Sequence, residues 1–510
     1  MRAIVAKNSG GSLARGHIIS TQYCSHFKRG MDMKSLVAFV TITAIASAAF
    51  AAETTLAWPQ FRGPNGSGVA DREQPPVEIG PDKNVLWKVA APSGLSSPIV
   101  VADKLVLTAF DGGKLFTIAY DRASGREAWR ALAPARQLEK FHQTEGSPAA
   151  STPATDGQRI VSYFGSCGLV CYDLSGKELW KHEMPAASTP GNFGSGVSPI
   201  LTDGTVVLVR DEVKESKIIA LDAATGRPRW ERKRQSPISY STPVTWDLPS
   251  GKQVISAGHA RMIAYDLKSG AEKWFVQGIP SGCCASPVTA DGNLFFAGWS
   301  PGGADDPEFQ MPTFDGILKD MDKDKDGTIS RQEGDKNFES FFDSQDVNQD
   351  GKISRDEWDT VLKFMKEGKN VAFAVKPGGS GDVSTSHVLW KQTKGLPYVA
   401  SAIVYRGQYV MVKDGGIVTA YDAKTGKEIY TKRAVASGSY YASPVAANGN
   451  IYFTSLNEGV VTVLKAGAAT PDVVAENPSL GERVAATPAI ADDTLYVRTA
   501  EYLYAFAKKN

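Results

Sequence analysis

The sequence predicts an all-β fold, an eight-bladed β-propeller with a small α-helical insertion. Three observations predict it: a small-residue–Pro anchor that recurs along the chain, one pattern of strands and turns after the anchors, and a single acidic block that interrupts one repeat. A repeat fold also answers the length. A chain of 510 residues is long for one ordinary core, whereas repeated units pack only on their neighbours.

The anchors are Ser97-Pro98, Thr152-Pro153, Ser198-Pro199, Thr242-Pro243, Ser286-Pro287, Ser443-Pro444 and Thr487-Pro488, with Ser401-Ala402 filling an eighth place. Successive anchors lie 55, 46, 44, 44, 115, 42 and 44 residues apart. Removing the acidic block of about 70 residues returns the long interval to about 45, a blade-length repeat.

Each repeat has one grammar. "SPIVVADKLVLTAFDGGKLFTIAYDRASGREAW" reads as strand, Asp turn, strand, Gly-Gly turn, strand, Ser-Gly turn and a last strand ending in Trp129. Apolar alternation between Gly and Asp turns marks antiparallel strands. A β-sandwich or β-solenoid is the competing arrangement, but four strands in each repeat of about 44 residues favour the propeller.

The last turn and its Trp recur as "AYDRASGREAW" (Ala119–Trp129), "ALDAATGRPRW" (Ala220–Trp230), "AYDLKSGAEKW" (Ala264–Trp274), "AYDAKTGKEIY" (Ala420–Tyr430) and the shorter "CYDLSGKELW" (Cys171–Trp180). The Asp bonds turn amides and the Gly takes positive φ. The large ring buries apolar area against the next blade. The motif resembles the tryptophan-docking motif of the PQQ-like propellers, a BamB-like family that also includes the quinoprotein dehydrogenases. That resemblance covers most of the mature chain and implies an eight-bladed propeller. The opening "WPQFRGPNGSGVA" (Trp58–Ala70) is similar to the start of many exported PQQ-like proteins.

Ring closure is expected from the termini. "NVLWKV" (Asn84–Val89) reads as an outer strand with no blade before it, and "YLYAFAKKN" ends the chain on an inner strand. Pairing the two removes the open edge.

The fifth repeat starts with "CCASPVTADGNLFFAGW", breaks off at Trp299, and resumes at "NVAFAVKPG" and "SHVLWKQ". The acidic block therefore sits between the second and third strands of that blade, on the face of the segments that lead into the anchors, beside the central funnel. Within it Asp322, Asp324, Asp326, Thr328, Ser330 and Glu333 occupy positions 1, 3, 5, 7, 9 and 12 of a loop with Gly327 at position 6. Asp346, Asn348, Asp350, Lys352, Ser354 and Glu357 repeat the pattern around Gly351. Ca²⁺ takes six to eight hard oxygen ligands, and this spacing supplies them. Thr328 and Lys352 are expected to ligate through backbone carbonyls, the serines through water, and Glu333 and Glu357 bidentately. Two Ca²⁺ sites are expected, with Ile329 and Ile353 pairing the loops.

The loops look like an EF-hand pair, but repeat every 24 residues and leave only Gly334–Gln345 between them. That gap holds one short helix with Phe338, Phe341 and Phe342 as its apolar face. The arrangement is similar to compact loop–helix duplicates such as dockerins, and implies a structural calcium role rather than the opening of a sensor. A second helix is expected in "SRDEWDTVLKFMKEG", capped by Ser354 and Glu357.

The chain divides into an upstream extension and signal peptide (1–52), a lead-in (53–83), blades 1 to 5 in part with the closing strand (84–299), the calcium insert (300–369) and the rest of blades 5 to 8 (370–510). Lys34 precedes "SLVAFVTITAIASAAFAA", a secretory pattern ending in small residues. A membrane anchor is the competing reading, but the strongly apolar part is too short to span easily and no stop-transfer charges follow. No Cys follows the cleavage site, so the product is expected to be periplasmic or secreted, with no membrane span. Residues 1–30 read as an upstream mis-start or a long n-region. Formal net charge is +1, which gives no reason to expect nucleic acid.

The mature chain holds Cys167, Cys171, Cys283 and Cys284. Export permits disulfides, and Cys167 and Cys171 flank a predicted hairpin turn as candidates for one. Adjacent Cα atoms are about 3.8 Å apart, so a Cys283–Cys284 bridge would be strained. The PQQ alcohol dehydrogenases carry such a vicinal pair, but their catalytic Asp and calcium-binding Glu and Asn have no counterpart here by motif. A free or structural pair is therefore preferred, and PQQ is not expected.

Position alone places His142, Glu145, Asn192, Tyr240, Tyr398, Tyr440 and Arg483, and on the matching turns Arg210, His259, Arg261, Lys413, Asn457 and Arg498, around the funnel as solvated loop residues. The function expected is a non-catalytic binding or assembly scaffold of the cell envelope, with an envelope protein or a glycan as funnel ligand. The alternative is a PQQ-dependent dehydrogenase.

Overall fold

The computed structural model describes residues 57–508, apart from 214, 303–310, 335, 347 and 349. The export signal expected within 1–52 lies outside them. Eight antiparallel blades follow the anchors, each built of four strands, as the repeat predicts. Blade 1 is typical: Ile99–Val101, Lys104–Asp111, Lys114–Asp121 and Glu127–Leu132. Its inner strands are almost wholly buried and its last strand alternates, which is the pattern of a sheet stacked between neighbours at the hub and half exposed at the rim.

The anchors form a continuous ring. The amide of each anchor residue donates to the hydroxyl of the next: Ser97 to Thr152, Thr152 to Ser198, Ser198 to Thr242 and Thr242 to Ser286, at 2.9–3.0 Å. Ser286 then donates to Ser401, Ser401 to Ser443, Ser443 to Thr487 and Thr487 back to Ser97, also at 2.9–3.0 Å. The hydroxyl, not the proline, is what every anchor needs, which is why Ser401-Ala402 serves. Inner strands converging on a narrow axis leave amides with no strand partner, and a short Ser or Thr side chain satisfies them.

The Trp rings link the blades at their rims. Trp87, Trp129, Trp180, Trp230 and Trp390 each donate Nε1 to a carbonyl in the next blade's Asp turn. Each indole lies over that turn's glycine, at Gly125, Gly176, Gly226, Gly270 and Gly426. Blade 5 lacks the turn, so Trp274 bonds Gln253 instead, and Gly381–Asp382 adds a short parallel strand to the edge of blade 4.

Val85–Ala90 pairs antiparallel with Tyr502–Phe506 and completes blade 8. The lead-in before it circles the inner strands. Trp58 bridges to Val100, Thr155 donates to Pro59, Asn65 bonds Thr245, and Ala70 bonds Ala446. Trp58 and Arg62 are fully buried by this path. The motif at Trp58–Ala70 is thus a structural plug of the axis, a role its sequence did not disclose.

Asn293–Gly298 and Val371–Val375, the second and third strands of blade 5, are paired, and the insert lies between them. Its neck is pinned by paired bonds between Ser300 and Asn370. Among the described residues no helix is long and apolar enough to cross a membrane.

Candidate functional site

Three helices build the insert: α1 (Phe314–Met321), α2 (Lys336–Gln345) and α3 (Arg355–Glu367). α2 fills the interval between the loops, and the Ser354–Glu357 capping box opens α3. Sequence reasoning missed α1, although Thr313 caps it and Phe314, Ile317, Leu318 and Met321 have helical spacing. Ile329 and Ile353 pair antiparallel and share one small core with Phe314, Ile317, Phe338, Phe342 and Trp358.

Carboxylates and backbone organise both loops. Gly327 and Gly351 take φ of 80° and 87°, turning the chain back towards the first aspartate. In loop 1, Glu333 accepts from the amides of Lys323, Asp324 and Ser330 and from the Ser330 hydroxyl. The Ser330 amide, its hydroxyl and the further loop amides hold the Glu333 carboxyl down at about 2. Lys352, followed by Thr328, does the same for Asp326, also to about 2. In loop 2, Glu357 accepts from Asn348 and Ser354, while Asp346 accepts from Asp350 and Gly351.

Asp322, Asp324 and Glu333 offer ligand oxygens that all lie within 4.8 Å of one another. The Oδ1 atom of Asp322 is buried without a hydrogen-bond partner. Converging carboxylates with one orphaned oxygen fit a hard divalent cation, and an all-oxygen set of this kind suits Ca²⁺. Lys352, expected to offer its carbonyl, points its ammonium at Asp326.

The insert does not stand beside the funnel; it lies across its mouth. Phe364 of α3 stacks face to face on His259, and Lys369 donates to Ile279 at the neck. On the far side Phe341 of α2 meets Phe193 edge-on, and Lys140 pairs with Asp343 at 3.4 Å. Phe341 was expected on the helix's inner apolar face, but it is 39% exposed and turns towards the propeller. Burial pushes the His259 imidazole down to about 4, so it packs in neutral form.

Beneath the insert is a chamber of about 1050 Å³. Phe341, Val361, Phe364 and Met365 line it from above, Tyr240, Tyr398 and Tyr441 from the sides, and Phe61 with anchor hydroxyls from below. Among the described lining residues there is no Arg or Lys, and Glu145 is the one carboxylate. Glu145 accepts from the Tyr441 hydroxyl at 2.6 Å and pairs with Arg483 at 3.2 Å.

Several expected funnel residues are elsewhere. Arg498 is buried and spends its guanidinium on the carbonyls of Ser96, Thr108 and Pro92. Arg210 is buried in an ion pair with Glu212 at 2.8 Å. Neither is a solvated loop residue, because each is the last, buried residue of its blade's second strand. Cys167 and Cys171 do not bridge; all four described cysteines are free. The reason is facing: Cys171 joins the cluster around Trp180 and Cys167 the cluster around Phe164 and Leu115, on opposite sides of blade 2. Cys283 is buried, its Sγ 3.2 Å from the Gly258 carbonyl, while Cys284 lines the chamber.

Comparison with known proteins bears on this architecture. A family model described as outer membrane protein assembly factor BamB matches residues 77–274 and 377–510, and an EF-hand model matches 314–333 and 338–362. Outer membrane protein assembly factor BamB of Burkholderia pseudomallei (strain K96243) is 27% identical over 207 residues, 38% of this chain and 48% of that protein. The chain thus spans about half the length of that curated relative. BamB from Moraxella catarrhalis superposes with a TM-score of 0.51 at 13% identity, covering 84% of this chain and 98% of that one. Quinohemoprotein alcohol dehydrogenase from Comamonas testosteroni gives 0.52 at 14% identity, covering 91% and 82%. At these identities the structural matches speak for the fold alone.

Proposed function

The chain belongs to the family of outer membrane protein assembly factor BamB, and from that premise we propose an exported, non-catalytic envelope propeller that binds calcium through its insert and a ligand on its funnel side. The observation that carries this reading is the roof: the insert closes the funnel mouth over an aromatic chamber whose one described carboxylate, Glu145, is paired with Arg483. Asp322, Asp324, Asp326, Thr328, Ser330 and Glu333 would hold one ion, and Asp346, Asn348, Asp350, Lys352, Ser354 and Glu357 a second. Bound Ca²⁺ neutralises the loops and fixes the angle between α1, α2 and α3, and therefore the roof. The affinity expected of such an extracellular module is roughly 10⁻⁴–10⁻³ M.

The second reading is a PQQ-dependent dehydrogenase, favoured by the adjacent Cys283 and Cys284 beside the chamber. PQQ is a polycarboxylate. Taking it into a chamber whose described lining has no Arg or Lys would bury anions without partners. The residues present do not fit the group. The deciding experiment reconstitutes the purified protein with PQQ and Ca²⁺ and measures alcohol- or sugar-dependent dye reduction. No turnover is expected. Turnover that Cys283→Ser abolishes would overturn the scaffold reading.

A further inference from the structure

The chamber is made by two parts of the chain that sequence separates, and its chemistry is selective. Glu145, the one carboxylate among its described lining residues, is already engaged by Arg483 and Tyr441, so that lining carries no unpaired charge to offer a ligand. Its floor carries Ser97, Thr152, Ser198, Thr242, Ser443 and Thr487 of the anchor ring. Each of these hydroxyls accepts a neighbour's amide, and that leaves each with its O–H as a donor. Above them the described walls and roof mix aromatic and aliphatic side chains with uncharged polar ones, among them Ser344, Gln345 and Thr360 of the roof helices. A volume of about 1050 Å³ is at the upper end of small-molecule sites.

We propose that this chamber is a binding site for an uncharged, mainly apolar small molecule that seats a hydrogen-bond-accepting end on the hydroxyl floor and its apolar body beneath the insert. A charged ligand would lose its hydration with no counter-charge to replace it. Because α2 and α3 are the roof, the ligand and calcium act on the same element, and each raises the affinity for the other. This linkage rests on the calcium reading proposed above; the site itself does not.

The test uses the full mature chain and two fluorescent probes, neutral N-phenyl-1-naphthylamine and its anionic relative 1-anilinonaphthalene-8-sulfonate. The neutral probe should bind saturably at one per chain in millimolar Ca²⁺ and at least about five-fold more weakly in chelator. The anionic probe should not displace it. Thr360→Trp, a substitution from an exposed helix position that lines the chamber, should cut probe affinity at least about ten-fold by filling the volume. Calorimetric Ca²⁺ binding should be unchanged in that variant. Phe364→Ala should weaken the probe by opening the roof. Saturable binding that both variants leave intact, or no saturable binding with Ca²⁺ bound, overturns the site. Calcium calorimetry separates the two readings. If the chain takes up no Ca²⁺ yet the probe binds and Thr360→Trp blocks it, the site stands and the linkage falls.

Discussion

Thr487 donates its backbone amide to the hydroxyl of Ser97 at 2.9 Å, across 390 residues of sequence. This bond closes the anchor ring where blade 8 meets blade 1, so the first and last blades are joined at the hub as well as by Val85–Ala90, the strand that completes blade 8. Ser97→Ala removes the acceptor and leaves a buried amide unpaired. The cost expected is about 1–3 kcal/mol, the penalty of one unsatisfied buried donor. Ser286→Ala, inside the ring, should cost a similar amount. Urea unfolding with an unchanged m-value measures both, and a loss under about 0.5 kcal/mol at either position would show that the ring bonds are dispensable.

The docking turns permit a sharper contrast. Gly226 has φ of 68°, and a Cβ built there meets the Trp180 ring at 2.5 Å. Gly204 has φ of 65°, but its nearest neighbour would be the end of Arg229 at 3.9 Å. Gly204→Ala therefore carries only the left-handed backbone penalty, about 1–2 kcal/mol. Gly226→Ala adds displacement of a buried indole and should cost about 3 kcal/mol or more. Thermal unfolding of the pair decides it, equal losses meaning that the indole yields without cost.

The blades were legible because a repeat states its rule many times: anchor, Asp turn, Gly and Trp recur, and the ion loops are twelve-residue patterns with fixed offsets. What was illegible depends on contacts between segments that share no pattern. Nothing in Phe341 or Phe364 says that they face Phe193 and His259. Nothing in "WPQFRGPNGSGVA" says that it threads the hub. Arg498 and Arg210 look like loop cations, but both end buried strands and turn their side chains onto carbonyls and Glu212. The chamber is a product of these long-range meetings, so it has no sequence signature of its own.

Calcium should report through Trp358, which is buried in the insert's core beside Phe338, with Nε1 on the Pro312 carbonyl at 2.9 Å. Its fluorescence is expected to change on titration with millimolar Ca²⁺, with two ions per chain by calorimetry. Glu333→Gln and Glu357→Gln should each remove one site, because each replaces a carboxylate that closes its loop. Wild-type stoichiometry in both variants would remove these glutamates from the ligand set.

The cysteines separate free thiols from a redox pair. Burial pushes the Cys284 thiol up to about 12, and Cys283 lies well above its ordinary value for the same first reason. Both therefore stay protonated thiols at pH 8. Native protein should alkylate slowly with iodoacetamide, while protein unfolded without reductant should yield Cys167, Cys171, Cys283 and Cys284 all as thiols. Recovery of an adjacent-cysteine disulfide by mass spectrometry would contradict the free pair and restore weight to the dehydrogenase reading.

Glu139 sets a pH dependence close to neutrality. It is buried, its Oε2 accepting from the amide and hydroxyl of Ser195 at 3.0 and 2.7 Å, its Oε1 without a partner. Burial raises its carboxyl from 4.5 to about 7, against the pull of Ser195 and then of Arg210. The folded state therefore binds the proton more tightly than the unfolded chain. Stability from this group is fully present below pH 4.5 and is lost as pH rises through about 7. Glu139→Gln cannot titrate and should lack this loss. Across pH 5 to 8 the wild type should fall relative to the variant by on the order of 3 kcal/mol. The comparison is made in chelator, so that proton competition at the ion loops cancels between the two proteins. Parallel pH profiles would mean that Glu139 enters the fold already ionised, with Arg210 supplying the charge that burial removes.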